Sequence, residues 1–137
     1  MKRATYTYRK RRLADQLGRL AEFISLLYLR AQGWRILFRR KKTPFGEIDL
    51  ICRRGNTILF VEVKYRRKQS EISQILPSPV SQTRLYRATH YIFSNLQHLE
   101  PASNMMCLRL DIFIWTGFGK LKRYRNVALE NTSWHFE

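Results

Sequence analysis

Acidic side chains are scarce in this sequence. Its 137 residues carry 10 Asp and Glu against 26 Lys and Arg, a formal charge of +16 and a pI near 10.7. That balance argues against a basic partner and calls for a polyanion. The cations are spread along the chain and interleaved with aromatics, 13% of all residues, whose rings stack on bases, so nucleic acid is favoured over a membrane surface. Cysteine is nearly absent as well. Cys52 and Cys107 each sit in an apolar strand-like run and read as reduced core residues. Neither belongs to a C-x-x-C pair, and His90, His98 and His135 lack zinc-ligand spacing, which excludes a structural zinc site. No stretch approaches 18 apolar residues, and the basic N-terminus leads into no signal-type apolar region. The expectation is a cytoplasmic protein with no membrane partner.

What is present suffices for one packed core. The chain is 45% hydrophobic, and at this length folding buries about 68% of the unfolded surface. Residues 1–12 read as a basic, flexible arm ahead of one domain spanning 13–137. Leu13, Leu17, Leu20, Ile24, Leu27, Tyr28 and Ala31 recur at helical spacing and predict a first helix over 13–31, with Gly33 as its stop. Its opposite side, Gly18, Glu22, Ser25 and Leu29, is not uniformly polar, so the helix is expected to be covered on two sides with Glu22 partly enclosed. A short strand over 34–38 follows, and the basic run Arg39, Arg40, Lys41, Lys42 with Pro44 reads as a turn. Strands GEIDLIC from residue 46 and TILFVEVKY from residue 57 flank Gly55-Asn56, a two-residue hairpin signal. Ser78-Pro79 opens a second helix running to about residue 98. Strands over 108–115 and 121–127 complete the order α-β-β-β-α-β-β, a mixed α/β layer without a domain break.

The hairpin carries the chemistry. A two-residue turn at Gly55-Asn56 sets Arg54 opposite Thr57, so Asp49 lies opposite Glu62 and Glu47 opposite Lys64, all on one face, with Ile48, Leu50, Val61 and Val63 on the other. Opposed carboxylates repel by roughly 4 kcal/mol at an effective dielectric of 20. Lys64, a shared proton or a divalent cation each relieves this, the cation most directly. Mg2+ accepts one or two protein carboxylates and fills its remaining positions with water and phosphate oxygens, the requirement of a phosphodiesterase. Glu22, if the first helix packs beside the hairpin, adds a metal contact or a base.

Gly46-Glu47-Ile48-Asp49-Leu50-Ile51 followed by Phe60-Val61-Glu62-Val63-Lys64 resembles the D…ExK core of the PD-(D/E)XK nucleases. The nearest likeness is to the YraN-like family of predicted endonucleases, distantly similar to archaeal Holliday junction resolvases. It extends from Gly18-Arg19-Leu20-Ala21-Glu22 through Gly33-Trp34 to Arg109-Leu110-Asp111 and Asn126-Val127-Ala128-Leu129. The resemblance implies a restriction-endonuclease-like fold, a mixed β-sheet flanked by helices. It implies Asp49 and Glu62 as metal ligands for Mg2+ or Mn2+, Lys64 as catalytic assistant and Glu22 as the helix-borne acid. It further implies DNA in preference to RNA, in branched or junction form, and a homodimer, because cutting a junction takes two sites. Three positions depart from the family pattern: Tyr65 replaces a small hydroxyl, Arg84 a lysine, and Leu110 a phenylalanine.

Arg39, Arg40, Lys41, Lys42, Arg66, Arg84 and Arg87 are the expected phosphate contacts, joined by His90 and Tyr91 along the second helix. Arg109 and Asp111 share a strand face and read as a structural ion pair. The same charge also admits a catalytically silent nucleic-acid-binding module built on a nuclease fold. Sequence-specific reading is not expected, since no helix-turn-helix, finger or RNP motif is present.

Overall fold

The computed structural model describes residues 2–68, 79–99, 106–117 and 119–125. Helix α1 (Lys2–Ala31) leads into strands β1 (Arg35–Thr43), β2 (Gly46–Arg54) and β3 (Thr57–Arg66); helix α2 (Pro79–Leu99) then precedes β4 (Cys107–Thr116) and β5 (Lys120–Tyr124). The five strands form one sheet in the order β1-β2-β3-β4-β5, antiparallel except for the parallel β3–β4 pair. A parallel pair requires a crossover, and α2 lies within it. The result is the mixed, helix-flanked α/β sheet expected, in the expected order.

The α1 terminus aims the chain into the sheet. Gly33 (φ 86°) takes the left-handed position that closes the helix, with Gly33 N–H donating to Arg30 C=O and Trp34 N–H to Leu29 C=O, both at 3.0 Å. Trp34 is thereby buried under the sheet's α1 side. Gly55 (φ 59°) occupies the first central position of the β2–β3 turn, and the pairs Arg54↔Thr57 through Leu50↔Val61 follow the predicted register.

Two apolar clusters lie on opposite faces of the sheet. Ile58 and Phe60 of β3 with Leu110, Ile112 and Ile114 of β4 pack under Leu85, Ala88 and Ile92 of α2. Leu59, Val61, Val63 and Phe113 pack under Ala21, Leu26 and Leu29 of α1. Alternate residues of the central strands feed different clusters, which explains their continuous apolar runs. Polar ties fix α1: Trp115 Nε1 donates to Ser25 Oγ at 2.8 Å, and the buried Ser25 hydroxyl donates to Ala21 C=O at 2.7 Å.

Several expectations need correction. Helix α1 begins at Lys2 and not at Leu13, so the segment expected as an arm continues the helix; Ala, Arg and Lys favour helix, and no Gly or Pro interrupts it before Gly18. The face of α1 turned to the sheet is Ala21, Ser25, Leu26 and Leu29, whereas Leu13, Leu20, Ile24 and Leu27 of the predicted apolar stripe are exposed. Arg39–Lys42 belongs to β1, whose pairing with β2 overrides the turn reading; the turn is Pro44-Phe45. Strand β5 ends at Tyr124, with Arg125 beyond it; the rest of the expected extension, Asn126 and Val127, like Ser78, lies outside the described residues. Cys52 is fully buried, its thiol pushed up to about 12 by burial, but Cys107 at the start of β4 is exposed.

Asp111 is the expected ion pair and more. Its carboxylate, fully buried, accepts from Arg109 Nε (2.9 Å) and Nη2 (2.8 Å), and from Arg123 Nε at 2.9 Å, while Arg123 Nη1 donates to Gln32 Oε1 at 3.0 Å. This joins β4, β5 and the end of α1. Removing one partner of a buried charge network strands the others, so Asp111→Ala should lower unfolding free energy by about 3 kcal/mol in urea titration; a loss well under 1 kcal/mol contradicts the network's structural role.

Candidate functional site

The centre of interest begins where the β2–β3 ladder stops. The last paired residues are Leu50 and Val61. At the next position Asp49 Oδ2 accepts from Val63 N–H at 2.8 Å, a side chain standing where a strand carbonyl would otherwise serve. Strand alternation slips at the same place. Ile48 packs in the α2-side cluster with Ile51, three residues away, although a regular strand puts such residues on opposite faces. Across from Asp49 on β1, Arg40 has φ 49°, a left-handed conformation rare for a side-chain-bearing residue, and Lys41 lies over the Phe38 ring, again three positions apart. Both strands therefore change face together at the Arg40–Asp49 step.

This break corrects the predicted four-residue array. Asp49 and Glu62 do adjoin, but Glu47 is opposite Lys42 of β1, not Lys64, because β2 has left β3 by then. Lys64 instead pairs with Glu62 on its own strand, Nζ to Oε1 3.3 Å. The other Glu62 oxygen, Oε2, is buried and has no hydrogen-bond partner among the described residues. Glu22 of α1 is close enough for its charge to act on both Asp49 and Glu62, yet its carboxylate is held by Arg40, Nε to Oε2 2.7 Å. That partner in turn raises the Arg40 pKa.

Electrostatically this is an acidic cluster in a basic protein. Glu62 and Glu22 act on Asp49, and Glu22 and Glu47 act on Glu62, so four of the chain's 10 acidic residues meet here. Asp49 is pushed up to about 7, first by burial and then by the Glu62 charge, against the lowering effect of the Val63 N–H. Glu62 is likewise raised by burial, against the pull of Lys64. Among the described residues no three His, Cys, Asp or Glu side chains form a ready-made metal cage. A hard cation needing one or two carboxylates still fits the pair, since Glu62 Oε2 is bare among the described residues and burial keeps Asp49 raised in spite of the Lys64 charge.

The expected nucleic-acid contacts divide. Arg39, Lys41 and Lys42 are exposed on edge strand β1, and Arg84 and Arg87 are exposed on α2. Arg40 is engaged by Glu22, and half-buried Arg66 donates to its neighbour's carbonyl, Tyr65 O, at 2.8 Å. One feature escaped sequence reasoning. Phe45, at the β1–β2 turn, meets Tyr91 of α2 edge-on at 6.1 Å, with the Arg87 guanidinium 5.9 Å from its ring centre. These residues, with Tyr86 and His90, border an open cavity of about 490 Å³. The available signal was an aromatic in a Pro-Phe-Gly turn, where burial is hard to arrange. The Tyr65 departure proves remote: its ring packs with the α1-side cluster, on the face of β3 away from Glu62 and Lys64, while Leu110 is buried under α2.

A raised carboxyl makes the fold pH-sensitive. Between the ordinary value of 3.8 and about 7 the native Asp49 holds a proton that the unfolded chain releases, so stability falls as pH rises through that window. In metal-free buffer Tm should drop between pH 5 and pH 8. Asp49→Asn, which keeps an acceptor for Val63 N–H, should recover on the order of 4 °C at pH 8, equivalent to about 1 kcal/mol. No recovery contradicts the assignment.

Comparison with known proteins identifies the family. The model of the uncharacterised protein family UPF0102 matches residues 21–114, which hold the whole D…ExK stretch and Glu22. A UPF0102 protein of Maricaulis maris is 41% identical over 123 residues, 88% of this chain and 90% of its own. One from Parvibaculum lavamentivorans is 39% identical over 101 residues, 74% and 72% of the two chains. One from Erythrobacter litoralis is 48% identical over 67 residues, where the match spans 49% of this chain and 58% of the relative's length. The chain belongs to the uncharacterised protein family UPF0102, the YraN-like family.

Proposed function

We propose that the protein is a divalent-cation-dependent endonuclease acting on DNA. The observation that carries this reading is the buried, unpartnered Glu62 Oε2 beside Asp49 at the end of the β2–β3 ladder, in a chain of charge +16. Asp49 and Glu62 are the residues to hold Mg2+ or Mn2+. When bound, such an ion polarises a phosphate oxygen and acidifies a water molecule.

The chain's own groups supply the rest. Lys64, oriented by Glu62 at 3.3 Å and partly exposed, presents an ammonium to the negative charge that develops at the phosphate. The Val63 N–H holds the Asp49 carboxylate in one orientation, leaving Oδ1 to face a ligand. Glu22, kept by Arg40, is available to accept a proton from water on release from that pair. Arg39, Lys41 and Lys42 on one edge and Arg84 and Arg87 on α2 give phosphate contacts, and the Phe45–Tyr91 cleft offers faces for unpaired bases. Contacts of that kind favour branched or partly single-stranded DNA.

Labelled duplex, single-stranded and junction DNA incubated with Mn2+ should be cut by the native chain. Asp49→Ala and Glu62→Gln should abolish cutting, and Lys64→Ala should reduce it about 100- to 1,000-fold. Absence of metal-dependent cleavage on every substrate overturns the enzymatic reading. In the same assay without metal, DNA binding should weaken steeply with salt, and Arg84→Ala with Arg87→Ala should lower both the affinity and the slope of that dependence by about two phosphate contacts. Binding that survives with cleavage absent identifies the catalytically silent binding module instead.

A further inference from the structure

Helix α1 has two apolar faces, and the sheet uses only one. Ala21, Ser25, Leu26 and Leu29 face the core, while Leu13, Leu20, Phe23, Ile24 and Leu27 are 38–54% exposed. Among the described residues, seven of the nine exposed large apolar or aromatic side chains lie on α1. Residues 4–16 are exposed throughout although helical, and an isolated helical segment of that length is marginal in water without a packing partner.

The outward face is ordered in a particular way. Leu13, Leu17, Leu20, Ile24, Leu27 and Ala31 follow spacings of four and three in strict alternation, the 3.5-residue repeat of a two-helix seam. We infer that this face of α1 is the interface of a homodimer in which the helices of two copies pack antiparallel about a two-fold axis at Glu22. In that register Leu13 meets Ala31, Leu17 meets Leu27 and Leu20 meets Ile24, each pair occurring twice, so every seam residue finds a partner.

Charge selects the direction. Arg9, Lys10, Arg11 and Arg12 precede the seam, and a parallel pairing sets these four cations against their own copies. The antiparallel pairing moves them to the C-terminal end of the other helix, whose carbonyls attract cations and where two exposed cations, Arg30 and Arg35, stand in place of four. The area is also of the right order. The five exposed side chains present roughly 500 Å² of apolar surface, beyond what single solvated side chains explain, and with their polar flanks approach the ~800 Å² per partner of a standard interface. The inference rests on the α1 face alone and stands whether or not the protein cuts DNA.

Sedimentation of the full chain at micromolar concentration, in high salt and without nucleic acid, should give the dimer mass. Leu20→Glu with Ile24→Glu, both on the exposed face, should weaken association by about 100-fold or more with an unchanged far-UV circular dichroism spectrum. The direction is read in a Cys107→Ser background, where Leu17→Cys combined with Leu27→Cys should form an interchain disulfide under mild oxidant. Either of those cysteines alone should form none, since identical positions stand about 15 Å apart along an antiparallel seam. A native chain that sediments as a monomer overturns the dimer. Efficient linkage through Leu17→Cys alone overturns the antiparallel register.

Discussion

The Val63 amide donates to a side chain where a sheet would normally offer a backbone carbonyl, and the candidate site depends on that exchange. Once Asp49 takes the place of a strand partner, the β2–β3 pairing ends, both β1 and β2 change face at the Arg40–Asp49 step, and carboxylates gather where the pairing stops. A regular hairpin continued to Glu47 and Lys64 would be a solvated charged ladder. The broken one buries a carboxylate oxygen that has no partner among the described residues.

Burial and like charge act together there. Desolvation raises Asp49 and Glu62, and each feels the charge of Glu22, so burial and like charge both oppose ionisation of this pair. Arg40 and Lys64 answer part of that need, one by holding Glu22 and the other by pairing with Glu62. Neither reaches Glu62 Oε2. The surrounding chain is strongly basic, a field suited to a polyanion, around a centre that itself would repel one. The cation of the proposed function would reconcile the two fields.

Rigid support comes from the opposite side of the sheet. The Asp111 network ties β4 and β5 to the end of α1, and Trp115 and Ser25 tie the middle of α1 to β4. These bonds hold the middle and end of α1, the helix that carries Glu22, so the helix acid and the strand acids are positioned by different parts of the chain. The core clusters on the two faces share β2, β3 and β4, and the break at Asp49 therefore sits in the best-packed strands of the fold.

The sequence alone determined the element order, the Gly55-Asn56 turn and the register from Arg54↔Thr57 to Leu50↔Val61, because turn chemistry and two-residue alternation are local. It also determined the trio Asp49, Glu62 and Lys64 as neighbours, and Arg109 with Asp111 as an ion pair. Only the tertiary structure decided that the register stops at Asp49, that Glu47 answers to Lys42, and that Arg40 belongs to Glu22. It likewise decided which face of α1 meets the sheet: periodicity found the apolar stripe over 13–31 and a mixed opposite side at Ser25 and Leu29, but not that the mixed side, with Ala21 and Leu26, is the one buried while the stripe stays exposed. A repeat in sequence reports that a surface is apolar, whereas its partner is set by the packing of elements far apart in the chain.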